Sequence, residues 1–232
     1  MLWFGLRALV RNAGAFAVFL GVDVVGQAVL VWAVPIESAG RVLWISSLVL
    51  SVLLHLICGS YLLYCAVEAT RDPSGRLGSR DVLVGGGERL LGTSAVLVAV
   101  GAVVAAGLWA FTWVGVAVLL ALGFVPLAAA AGEEHPFRAG IATLAHDPLR
   151  YAKVVVVGST VLAAVMASVA LAALFWPTPL AQVVVLVAEG CVLLWLACSM
   201  AALHPGRTGA DVPSPDAAVG GSLGGSLSGS QG

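Results

Sequence analysis

Residues 91–132 read LGTSAVLVAV GAVVAAGLWA FTWVGVAVLL ALGFVPLAAA AG, a run of 42 residues without a charged side chain. As one helix it would be about 63 Å long, roughly twice the ~30 Å hydrocarbon core of a bilayer. It must fold back as two spans, near residues 91–109 and 113–132, with a turn at Trp109–Trp113. The rest of the chain divides in the same way. Between Arg11 and Glu37 the only charge is Asp23. Residues 42–67 and 154–188 carry none, and Glu189 is the only charge from there to Arg207. The remaining spans are therefore about 13–34, 42–66, 154–175 and 180–202. The expected fold is an all-α integral membrane domain over residues 1–203, with six transmembrane helices in three hairpins and short cytoplasmic interfacial helices.

Composition excludes the soluble alternatives. The chain is 60% hydrophobic and 10% charged, and its mean hydropathy is +1.05. A soluble domain needs about 25% charge to cover its surface, whereas a lipid-facing helix can be as apolar outside as inside. Net charge is −1, and no basic cluster remains once loop residues are assigned to membrane flanks, so nucleic acid is not an expected partner. The four cysteines, Cys58, Cys65, Cys191 and Cys198, form two pairs seven residues apart within spans. They read as small packing residues and not as a metal or disulfide framework. Arg7 and Arg11 precede an apolar run of about 20 residues, too long for a signal-peptide core and long enough to span, which favours a retained anchor helix.

Charge also orients the spans. Ten of the eleven Lys and Arg residues fall on the side of the N-terminus: Arg7, Arg11, Arg71, Arg76, Arg80, Arg89, Arg138, Arg150, Lys153 and Arg207. Arg41 alone falls on the other. Basic residues near span ends are retained in the cytoplasm, so the expected location is the cytoplasmic membrane with both termini inside. Trp32, Trp44, Trp109, Trp113 and Trp176 cluster at the opposite interface, where amphipathic rings are favoured. The short 1–2 connection holds Pro35 and Glu37, and the 5–6 turn is Trp176-Pro177-Thr178-Pro179.

Each hairpin is preceded by a segment with a basic residue close to the membrane: Leu6–Asn12, Glu88–Gly92, and Phe137 to Tyr151. In the third, Phe137, Ile141 and Leu144 recur at i, i+4, i+7 with Arg138 and His146 off that face, the pattern of an interfacial amphipathic helix. Asp147-Pro148 ends it. In the second, Gly85-Gly86-Gly87 argues against a firm helix.

The hairpin layout, with the phrase Phe137-Arg138-Ala139-Gly140-Ile141 through Asp147-Pro148-Leu149-Arg150-Tyr151, loosely resembles poorly characterised six-span prokaryotic membrane proteins. These are similar to the membrane domain of some glycerophosphoryl diester phosphodiesterases. The resemblance covers most of residues 1–202 and implies the six-span fold. The soluble phosphodiesterase domain is absent from this sequence, so no hydrolase activity comes with it. Residues 204–232 are rich in Gly, Ser and Pro and read as a disordered cytoplasmic tail, with too little apolar surface to offset ordering entropy.

Four polar side chains lie deep in the spans: Asp23 and Gln27 in the first, His55 in the second and Glu189 in the sixth. Helical rise places Asp23, His55 and Glu189 within a turn or so of the midplane. A central acid costs on the order of 3 kcal/mol on insertion scales, so such groups face a partner or water. Asp23 and Gln27 share a helix face, and Ser47, Ser51, His55 and Cys58 form a second polar stripe. If Asp23, His55 and Glu189 converge, they could pass protons or neutralise a cationic substrate. If they pair separately, they are structural glue between helices. No spacing such as HxxxH points to a metal, and no P-loop, GxSxG, HExxH or dinucleotide fingerprint points to catalysis or a cofactor.

Other features have plainer readings. Gly101 with Ala105, and Ser159 with Ala163, are small-xxx-small pairs that favour close helix packing. Pro126 should kink the fourth span. Glu133-Glu134-His135 reads as a solvated helix end, and Glu68, Arg71 and Asp72 as an interfacial ion-pair cluster of little energetic weight. Two functions follow. The first is a non-enzymatic, transporter-like protein with a polar centre between spans 1, 2 and 6. The second is a structural or assembly subunit that uses small-residue faces for a membrane-protein partner or a second copy of itself. A lipid-modifying enzyme working at Glu133-Glu134-His135 is a weaker third reading.

Overall fold

A computed structural model describes residues 2–33, 40–71, 76–173 and 178–203. All its regular structure is helical, with no strand among the described residues. The helices are α1 (Leu2–Arg11), α2 (Ala13–Ala33), α3 (Arg41–Arg71), α4 (Ser79–Ala110), α5 (Thr112–Leu122), α6 (Val125–Ala131), α7 (Pro136–His146), α8 (Pro148–Ala173) and α9 (Thr178–Ala201). Six stretches are long and apolar enough to cross a membrane: those of α2, α3, α4, α5 with α6, α8 and α9. Helices consecutive in sequence pack together, α2 on α3, α4 on α5 and α8 on α9. The expected tail at 204–232, with Arg207, lies outside the described residues. So do Pro35, Glu37, Asp72, and the side chains of Trp32 and Trp176.

The core sits toward the end of the bundle that carries the basic residues. It forms around the C-terminal half of α3, where Leu62, Cys65, Ala66 and Ala69 meet Ala8 of α1, Phe16 of α2, Val82 of α4, and Leu194 and Cys198 of α9. A second cluster joins Val67 of α3 to Phe124 just before α6, Leu127 and Ala130 of α6, Tyr151 of α8 and Ala201 of α9. Small residues let the backbones approach closely there. Cys58, Cys65 and Cys198 are buried free thiols, while Cys191 is exposed.

Asn12 makes the corner between α1 and α2. It is 5% exposed; its side-chain amide donates to the Ala8 carbonyl at 3.1 Å, and its oxygen accepts the Leu77 N–H at 3.0 Å. One side chain thus ends α1 and pins the segment that leads into α4. The indole N–H of Trp195 on α9 donates to the Leu2 carbonyl at 3.0 Å, fixing α1 along the last helix.

The fourth long apolar stretch is interrupted, as Pro126 suggests. α5 ends at Leu122, and α6 begins with the proline in its first turn, where its missing N–H is harmless. The freed Leu120 carbonyl accepts the Tyr151 hydroxyl, and the Tyr151 ring packs against Phe124 at 4.9 Å. At its other end α6 is closed by Gly132 at φ +82°, whose N–H reaches the Ala128 and Ala129 carbonyls. The carbonyls of Ala130 and Ala131, left over at this helix end, accept Arg89 Nη1 at 2.8 Å and Arg71 Nη2 at 2.9 Å. Two cations on the negative end of a helix satisfy orphan acceptors and its dipole together. Arg71 also pairs with Glu68 at 2.7 Å, so the cluster expected to be a minor surface ion pair is part of a helix cap.

Three expectations are corrected. Gly85-Gly86-Gly87 does not break a helix, because α4 runs through it without interruption. The glycines make room for Tyr61 and Tyr64 of α3: a Cβ on Gly85 would stand 2.1 Å from the Tyr64 hydroxyl, and one on Gly86 2.6 Å from the Tyr61 ring. The segment at Arg89 is therefore inside α4, and of the three segments that precede hairpins only the first and third form separate short helices, α1 and α7. α7 turns Gly140 and Thr143 inward and leaves Phe137 and Ile141 exposed. Finally, Gly101, Ala105, Ser159 and Ala163 face outward. The close approaches are instead at Gly107 against Gly115, and at Gly158 under Leu196.

Candidate functional site

The centre lies between α2, α3 and α9. On α2, Asp23 and Gln27 are one turn apart; on α3, Ser51 and His55 are one turn apart. The two i,i+4 pairs meet face to face. His55 Nδ1 lies 3.0 Å from Asp23 Oδ2. Gln27 Nε2 donates to the Ser51 carbonyl at 3.0 Å and, at 3.4 Å, to Asp23 Oδ1. The Ser51 hydroxyl donates back to Gln27 Oε1 at 2.5 Å. Both carboxylate oxygens of Asp23 thus have a partner, as a carboxylate only 8% exposed requires. Gly26 lets this approach happen, since a Cβ there would meet Leu54 at 2.2 Å.

These groups border a cavity of about 480 Å³. Glu189 of α9 lines the same cavity, one turn after Leu186 and one before Leu193. The remaining walls are chiefly Leu20, Val24, Val52 and Leu56. His55 stands on the rim, with 70% of its side chain exposed.

The sequence-derived site is therefore assembled in three of its four members. Asp23, Gln27 and His55 form one hydrogen-bonded network. Glu189 shares their cavity without joining the network, and among the described residues it has no hydrogen bond or ion pair. Sequence reasoning left Ser51 out of the site, although its place one turn before His55 on the polar stripe was the available signal. Of the other stripe residues, Ser47 bonds back to the Trp44 carbonyl of its own helix, and Cys58 is buried one turn beyond His55. Glu133, Glu134 and His135 are exposed between α6 and α7. Among the described residues no three His, Cys, Asp or Glu side chains are gathered to hold a metal ion.

An acid and an imidazole in contact can exchange a proton across the shared hydrogen bond, and the amide–hydroxyl pair beside them holds the acid in place. Compared with known proteins, the chain matches no family model, no curated protein and no solved structure.

Proposed function

We propose that this chain is a multi-pass protein of the cytoplasmic membrane, built from three transmembrane hairpins, whose α2–α3–α9 centre binds protons or a cation in a transporter-like role. The Asp23–His55 contact at 3.0 Å beside a cavity carries the reading. Ionisable groups are rare in spans and mark ion or proton pathways when they face a cavity or one another. The bias of basic residues to one end supports a cytoplasmic location for both termini. On that topology α1 and α7 lie at the inner interface, with Trp3 and Val10, and Phe137 and Ile141, exposed toward lipid.

The test is pH-difference infrared spectroscopy of the full chain in lipid nanodiscs. A protonation signal removed by Asp23→Asn and by His55→Gln, in variants that remain folded, supports the centre. Variants that no longer fold would show that the pair is structural glue instead.

A second reading, an assembly subunit, is favoured by the outward-facing small residues Gly101 and Ala105 on α4 and Ser159 and Ala163 on α8. Such faces suit close packing with a partner helix. Co-purification of a stable partner, lost when Gly101 and Ser159 are replaced by Leu, would favour it. The likeness to the membrane domain of glycerophosphoryl diester phosphodiesterases is compatible with either reading.

A further inference from the structure

We infer that the α2–α3–α9 cavity takes a monovalent organic cation bearing apolar substituents, with Glu189 as its counter-charge. The inference deepens the reading of this centre as a proton or cation site and rests on it.

Charge matching comes first. Asp23 is engaged by His55 through one oxygen and by Gln27 through the other. Among the described residues Glu189 borders the same space with no such partner, and among them His55 is the only basic side chain lining the cavity. The site therefore holds two acids and one base, and the unmatched acid is the one on α9. An acid in a low-dielectric cavity is best satisfied by an opposite charge at short range.

The walls decide what kind of cation. Leu186 and Leu193 flank Glu189 along its helix, and Leu20, Val24 and Leu56 line the same cavity. The oxygens of Asp23, Gln27 and Ser51 are engaged with one another or with His55, so beside Glu189 these walls offer few of the several oxygen ligands that a small inorganic ion needs in place of its hydration shell. An organic ammonium or phosphonium is weakly hydrated, and its substituents would gain from contact with leucine and valine. The cavity, at about 480 Å³, falls within the roughly 300–1,000 Å³ of sites for small organic ligands, which are mostly apolar with a few polar groups. The exposed rim at His55 gives the ligand a way in from the side of the bundle.

Binding of tetraphenylphosphonium to the full chain in nanodiscs tests this, with uncharged triphenylphosphine oxide and small, well-hydrated sodium as comparators. The expected result is saturable tetraphenylphosphonium binding that weakens by roughly tenfold or more, about 1.4 kcal/mol, in Glu189→Gln. Neither comparator should compete. Leu193→Phe, which narrows the cavity and keeps every charge, should weaken binding too and serves if Glu189→Gln does not fold. Wild-type affinity in a folded Glu189→Gln or in Leu193→Phe overturns the inference, as does equal binding of triphenylphosphine oxide. A wild-type chain that shows the Asp23–His55 protonation signal but binds no tetraphenylphosphonium overturns the ligand class and leaves the proton centre standing. Absence of that signal overturns the centre itself.

Discussion

Gln27 and Ser51 are joined twice across the α2–α3 contact, the amide donating to the Ser51 carbonyl at 3.0 Å and the Ser51 hydroxyl donating back at 2.5 Å. The Ser51 carbonyl belongs to α3, so Gln27 reads the backbone as well as the side chain of its partner. This sets the register that puts His55 opposite Asp23. Gln27→Leu removes both bonds, and with them the 3.4 Å bond to Asp23 Oδ1, and leaves the Ser51 hydroxyl to its own helix. Interhelical hydrogen bonds in membranes are individually modest, and the expected loss is about 1 kcal/mol, measured by reversible unfolding in mixed micelles. Ser51→Ala should cost less, because the carbonyl bond survives. A Gln27→Leu protein as stable as wild type would show that the register is set by packing alone.

Arg89 is the better of the two caps on α6. It is the less exposed, 32% against 46% for Arg71, and it stacks over the Tyr64 ring at 5.4 Å. A hydrogen bond from a charged donor contributes about 1.5–3 kcal/mol when partly buried, and an exposed one much less. Arg89→Ala should therefore lower unfolding stability by about 2 kcal/mol, and Arg71→Ala by under about 1 kcal/mol. Arg89→Lys keeps the charge but shortens the donor fork, and should recover only part of the loss. Equal effects of the two alanine variants would argue against an unequal cap.

The six long apolar helices were legible because they depend on where charges are missing, which a sequence shows directly. Asp23, Gln27 and His55 were legible for the same reason, since a polar residue in an apolar run needs a partner. What escaped was every feature that depends on two elements at once. Arg71 and Arg89 cap α6 only because the helix ends at Gly132, and nothing near either arginine in sequence announces that. Gly85 and Gly86 resemble a helix breaker until Tyr61 and Tyr64 are laid across them. Gly101 and Ser159 carry the motif of a close contact, yet the helices touch at Gly107, Gly115 and Gly158. Periodicity gives a face, but the rotation of a helix about its axis comes from its neighbours.

The glycine corrections make a paired prediction. Gly85→Ala puts a methyl group against the Tyr64 hydroxyl and ring, at 2.1 and 2.8 Å before any relaxation. Overpacking of this kind costs about 1–3 kcal/mol, more than the roughly 1 kcal/mol that alanine gains over glycine in a helix. Gly101→Ala meets nothing within 4 Å and should be neutral or stabilising by up to about 1 kcal/mol. Unfolding both variants side by side separates a glycine kept for packing from one that is not. Tyr64→Phe, which removes the hydroxyl that the new methyl meets first, should return part of the Gly85→Ala loss. A harmless Gly85→Ala would contradict the tight tyrosine contact.

The proposed topology predicts which connections a membrane-impermeant thiol reagent can reach. Phe111 is exposed in the turn between α4 and α5, and Glu134 is exposed between α6 and α7. The half of the apolar run after Phe111 crosses back before Glu134, so the two residues lie at opposite ends of one span. Three of the native thiols are buried, and the fourth, Cys191, is replaced by Ser to lower the background. Phe111→Cys should then label in intact cells, whereas Glu134→Cys should label only after the membrane is opened. Labelling of both in intact cells would contradict a span between them, and the reverse pattern would invert the orientation. Inversion would move the basic end to the outside, against the bias that retains arginine in the cytoplasm.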